Sequence, residues 1–231
     1  MELPIGTIIN VFAVLAGGLL GLGLRKVFPD KIKEIIFQGI GLFVIVLGTK
    51  MAFETNHPLV MVFAIVSGGL IGEWLNLELT LNRLSNFFKR AIKSKDSSFN
   101  EGLVTAFLLF CVGSMTIVGA MNEGLSGDRE LLYTKSLMDG ISAIVLAASF
   151  GAGVVFSVVP MLIFQGGITL LATQVQSYIS EAYITEISAV GGLMILGIGL
   201  NILGIAKVRV VNMLPALITV LLWMRLQGLI A

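Results

Sequence analysis

Runs of about twenty apolar residues recur along almost the entire chain, and few chains with that pattern have more than one structural option. A bilayer core holds no water to satisfy a backbone, so a segment that crosses it must be a helix or part of a closed barrel, and a helix needs about 20 apolar residues to do so. The runs lie at about 5–24, 34–53, 58–75, 99–121, 131–150, 154–173, 184–206 and 210–226. Of the 231 residues, 56% are hydrophobic and 13% charged, whereas soluble domains carry about 25% charge. The expectation is an all-α polytopic membrane helix bundle of about eight spans, forming one integral membrane domain over residues 1–231.

Charge placement orients the bundle. The loops after the first, third and seventh spans hold eleven basic residues: Arg25, Lys26, Lys31, Lys33, Arg83, Lys89, Arg90, Lys93, Lys95, Lys207 and Arg209. The loops on the other side hold only Arg129. Basic loops stay in the cytoplasm, so both termini are expected outside, in the cytoplasmic (inner) membrane of a prokaryote. The first residues include Glu2 and no basic stretch, which argues against a cleaved signal peptide. Residues 77–98 form the longest polar stretch. Within it Leu77, Leu81, Leu84, Phe88 and Ile92 recur at helical spacing, and basic residues crowd its end. This reads as a cytoplasmic amphipathic helix and loop lying on the lipid surface.

One span carries opposite charges. In LLYTKSLMDGISAIVLAASF, Leu131 to Phe150, Lys135 and Asp139 stand at i and i+4 on one face, and Ser142 extends it. Placing either charge in hydrocarbon costs about 2.5–3.5 kcal/mol on insertion scales. Two readings follow: a site for an ion or small solute centred on Asp139, or a structural pair that fixes helix register. A second stripe on this helix, Ser136, Gly140, Ala143 and Ala147, invites close approach by a neighbour. The span that follows has Gln165 between Pro160 and Gly166–Gly167, an interval that favours local unwinding, and this span is the expected partner of the charged one. Asn10 and Asn201 are further polar residues within spans, each open to a lining role or to interhelical hydrogen bonding. The GAG turn at Gly151–Gly153 leaves open a re-entrant hairpin in place of two full spans.

Repeats add a second layer. VFAVLAGGLLG (Val11 to Gly21) and VFAIVSGGLIG (Val62 to Gly72) are near copies, and each ends in a G-x-x-x-G pair: Gly17 with Gly21, and Gly68 with Gly72. Such pairs pack helices. A fainter echo aligns Gly41, Leu42 and Gly48 with Gly192, Leu193 and Gly199, and Gly17–Gly18 with Gly166–Gly167. The matched spans run in opposite directions, which suggests an inverted repeat of the type found in secondary transporters. Small-residue faces also allow a homodimer.

Several functions lack their residues. No phosphate-binding G-x-x-x-x-G-K-[ST], H-E-x-x-H or G-x-S-x-G occurs. The single histidine, His57, and single cysteine, Cys111, cannot build a His/Cys metal site. No enzyme, cofactor, metal or nucleic-acid partner is therefore expected; the expected partners are an ion or small solute and membrane lipid.

PIGTIIN at Pro4 to Asn10, the GGLLG and GGLIGE runs, FCVGSMTIVG at Phe110 to Gly119, GLSGD at Gly124 to Asp128, YTKSLMDGISA at Tyr133 to Ala143, FQGG around Gln165 and VNMLPAL at Val211 to Leu217 occur in this order. The sequence thereby resembles the bacterial "domain of unknown function 554" membrane proteins, the YdfK/YqgA-like group, over essentially its whole length. The resemblance implies a multi-pass protein of prokaryotic cytoplasmic membranes, of a group often called transporters without an assigned substrate. The family's lysine–aspartate pattern maps onto Lys135, Ser136, Asp139 and Gly140. The function expected is a gradient-driven transporter of an ion or small solute; the alternatives are an ion channel or a non-transporting scaffold or sensor.

Overall fold

A computed structural model describes residues 3–25, 29–83, 98–175 and 180–230. Its regular elements are helical: α1 (Ile5–Arg25), α2 (Asp30–Ala52), α3 (Pro58–Trp74), α4 (Leu77–Arg83), α5 (Phe99–Cys111), α6 (Ser114–Ser126), α7 (Glu130–Phe150), α8 (Ala152–Phe156), α9 (Val158–Val175), α10 (Glu181–Ile202), a 3-10 turn at Val210–Met213 and α11 (Ala216–Ile230). Among the described residues six helices are long and apolar enough to cross a membrane, and two bent pairs raise the number to as many as eight. The all-helical membrane architecture is therefore observed. Most of the surface-helix segment read at 77–98 lies outside the described residues; α4 is the part that is seen.

The interruptions fall elsewhere than the sequence suggests. Beside the GAG turn, α7 has 21 residues and the stretch Ala152–Gln174 has 23, each long and apolar enough for a full span. Gly151, at φ 78°, makes the turn, a backbone region that glycine enters without a Cβ clash. The interval from Pro160 to Gly166 stays helical within α9. Pro160 is the third residue of that helix, where a missing N–H costs no intrahelical bond. The broken span is instead the fourth, where α5 and α6 meet at 58° across Val112 and Gly113. The Thr116 hydroxyl donates to the Phe110 carbonyl at 2.8 Å and so satisfies a group that the break leaves open. Likewise α3 and α4 meet at 55°, around Asn76 at φ 51°.

The chain divides into two compact units, residues 1–36 with 95–180 and residues 37–94 with 181–231. In the first, α1 lies along α7. A Cβ at Gly17 would collide with the Gly140 carbonyl, and one at Gly21 with the Ile144 carbonyl and Ala147. The stripe Gly140, Ala143 and Ala147 is the surface that α1 covers, so the two helices approach as small residues permit. Glycines also seat α6 on α9, where Gly124 meets the Thr169 carbonyl, and α8 on α5, where Gly153 meets the Phe99 carbonyl.

In the second unit, Gly68 lies against Ala216 and Gly72 against the Asn212 carbonyl, so the other glycine copy seats α3 on the start of α11. Glu186 of α10 is buried and accepts from the Thr55 hydroxyl and from the Asn56 and His57 amides. These amides precede α3, and the carboxylate takes donors that a helix start leaves unpaired. Glu73 accepts from Arg209 and from the Asn212 amide, each at 2.7 Å.

Candidate functional site

The site grows from the face of α7 that its small residues leave polar. Lys135 Nζ donates to both oxygens of Asp139, at 2.8 Å and 2.7 Å. Both residues are only 6% exposed. One turn of helix places them together, and the close seam with α1 delivers the third member. Asn10 Nδ2 donates to Asp139 Oδ2 at 3.0 Å and to Gln165 Oε1 of α9 at 3.0 Å. Asn10 and Gln165 are fully buried. A lysine, a carboxylate and two amides from three helices thus form one chain of hydrogen bonds. The ion pair is internally neutral, so its burial leaves no net charge to offset.

The network is not closed. Asn10 Oδ1, Gln165 Nε2 and the Thr7 hydroxyl find no hydrogen-bond partner among the described residues. Thr7 is one turn from Asn10 and also fully buried, and its methyl group lies close to Gly166. Three unpaired polar groups therefore share the α1–α9 seam. Buried polar groups in folded proteins nearly always have a partner, so three open ones in one seam are an exception.

At the end of α1 where Leu3 lies, a cavity of about 540 Å³ is lined by Leu3, Glu123, Leu125, Ser126, Thr169, Thr173 and Gln174 among others. Lys135 and Asp139 do not line it. Thr169 is one turn of α9 from Gln165, and its hydroxyl meets the Gln165 carbonyl at 3.2 Å. Glu123, 4% exposed, accepts from the Gly6 amide at 2.7 Å and pairs with Arg129 at 3.0 Å.

The candidate residues thus separate. Lys135, Asp139, Asn10 and Gln165 come together. Ser142 does not join them: it is exposed. At about 100° per residue it sits roughly 130° round the helix from the stripe that α1 covers, too far for its short side chain to fold inward as the lysine does. Asn201 is elsewhere, in the second unit, where it braces a loop by exchanging two 2.7 Å hydrogen bonds with the Val208 backbone. Gly17, Gly21, Gly68 and Gly72 all lie in helix seams. The expected pairing of the charged span with the next one is indirect, since Asn10 of α1 stands between Asp139 and Gln165. Sequence reasoning missed Glu123 and Glu186. Each stands near the end of an apolar run, where a carboxylate is ordinarily solvated.

The family model described as "Protein of unknown function (DUF554)" matches residues 5–225. The chain belongs to this family. Two relatives match this DUF554 chain over most of its length. An "Uncharacterized membrane protein YdfK" of Bacillus subtilis (strain 168) is 38% identical over 92% of each chain. An "Uncharacterized protein YqgA" of Escherichia coli (strain K12) is 36% identical over 93% of each. No solved structure matches this DUF554 chain. With its apolar helices, this member of the family is a membrane protein.

Proposed function

We propose that this DUF554 protein is a membrane transporter for an ion or small solute, driven by an ion gradient, with Asp139 as its central charged group. The observation that carries this reading is the Lys135–Asp139 pair held by Asn10 and Gln165 with polar atoms left open beside it. A pair that served only to fix helix register would gain from full saturation, because an unpaired buried polar group costs about 1–3 kcal/mol. Groups that exchange partners with a passing solute are the ones expected to be incompletely matched.

An inverted repeat supports the same reading, and the second unit supplies an observation for it. A Cβ at Gly48 of α2 would meet Leu196 of α10, and one at Gly199 of α10 would meet Ile45 of α2. The offset that carries Gly48 to Gly199 also carries Ile45 to Leu196. The contact is thus its own mirror under the repeat, as an axis between two related halves requires. A homodimer gains no such support from Gly17, Gly21, Gly68 and Gly72, which are covered within each unit. The positive-inside count continues to argue for both termini outside the cytoplasmic membrane.

The test is flux into proteoliposomes loaded with pH- and cation-sensitive dyes, over a panel of monovalent cations, anions and small metabolites. The wild-type chain should move at least one of them, and Asp139→Asn should slow it by tenfold or more. Equal flux in the variant would remove Asp139 from the pathway. Absence of flux for every member of the panel would favour the scaffold.

A further inference from the structure

We propose that Glu123, which lines the 540 Å³ cavity, is a binding site for a small monovalent cation, held between its Oε2 and the Thr169 hydroxyl. The two carboxylate oxygens are used unequally. Oε1 takes both strong donors, the Gly6 amide at 2.7 Å and Arg129 Nε at 3.0 Å. The one hydrogen-bond partner of Oε2 among the described residues is Thr169 Oγ1, at 3.5 Å. That is longer than a normal hydroxyl–carboxylate bond of about 2.5–3.0 Å. The same hydroxyl has a better acceptor in the Gln165 carbonyl at 3.2 Å, so its proton points there and its lone pairs remain for another partner. Two oxygens 3.5 Å apart span the edge of an octahedron with ion–oxygen distances of about 2.5 Å, within the range found for hard cations on oxygen ligands.

Charge decides the valence. Arg129 already offsets the carboxylate, and no group of three acidic, histidine or cysteine side chains suited to a metal ion exists among the described residues. A divalent ion would meet too little negative charge, whereas a monovalent ion needs only the free oxygen and neutral ligands. Ser126, Thr173 and Gln174 provide neutral oxygens on the cavity wall, and among the described residues Glu123 is the one charged side chain lining it. The glutamate side chain is 2% exposed, so few waters compete for its free oxygen. The site does not depend on the transport reading: binding at Glu123 is measurable without any flux.

The full-length protein in detergent is heated in chlorides of sodium, potassium, methylammonium and choline at equal ionic strength, and unfolding is followed by tryptophan fluorescence. At least one of the first three should raise the unfolding midpoint saturably relative to choline. The methylammonium arm separates an organic ammonium from an alkali ion. Thr169→Val keeps the side-chain shape and should lose the response, as should Glu123→Gln. Should the glutamine variant fail to fold, the valine variant decides alone. Equal midpoints in all four salts, or an undiminished response in Thr169→Val, would overturn the site.

Discussion

Removing one charge of the Lys135–Asp139 pair and removing both are different experiments. Lys135→Met leaves a carboxylate buried with only the Asn10 amide, and losing one partner of a buried pair costs about 3–5 kcal/mol. The double variant Lys135→Met/Asp139→Leu leaves no unpaired charge and should lose less stability than either single change, read from denaturation midpoints in detergent. If the double variant is as damaged as the sum of the singles, the pair is not coupled as its 2.7 Å contact implies. The pair itself was legible in the sequence, because two charges one helical turn apart in an apolar run have few other uses. Its amide partners were legible as polar residues but not as partners. Asn10 lies 129 residues from Asp139 and 155 from Gln165, and no local pattern encodes such contacts. Glu123 was invisible for a different reason: NEGLSGDRE reads as a solvated loop, and only the packing of α6 against α9 seals its first carboxylate.

At the level of elements, the glycines divide by what faces them. Gly17 has the Gly140 carbonyl in its place, and Gly17→Val should part α1 from α7 and abolish a monodisperse, folded protein on size exclusion. Gly23, on the same helix, has nothing within 4 Å. Gly23→Ala should leave the fold intact and raise stability by up to about 1 kcal/mol through helix propensity. A similar loss in both variants would mean that the seam is not what Gly17 provides. The G-x-x-x-G spacing announced the seams, since its period matches one helix face. It could not announce the partner, and the reading that linked the charged span directly to the next one missed the helix between them. The break in the fourth span was also hidden, because CVGSM is as apolar as its surroundings and a helix tolerates one glycine.

For the whole molecule, the testable quantity is sidedness. In a Cys111→Ala background, Glu54→Cys should react with a membrane-impermeant maleimide in intact cells, and Pro29→Cys only after permeabilisation. Both positions are exposed. The reverse pattern would invert the bundle and contradict the eleven-to-one distribution of basic loop residues. The class of the bundle was legible because membrane crossing is decided by length and apolarity, while the two bent pairs leave the number of spans between six and eight. The division into two units was not, because it joins the first 36 residues to the middle of the chain, a choice made by tertiary packing.

The 58° bend between α5 and α6 has a positional consequence. From Gly113 to Glu123 the helix rises about 15 Å. Continuing α5 straight would carry that carboxylate sideways by a similar distance, far out of reach of Gly6, Arg129 and Thr169. An elbow in the backbone thus acts as the surveyor of this molecule, fixing where an acid stands by deflecting the rod that bears it.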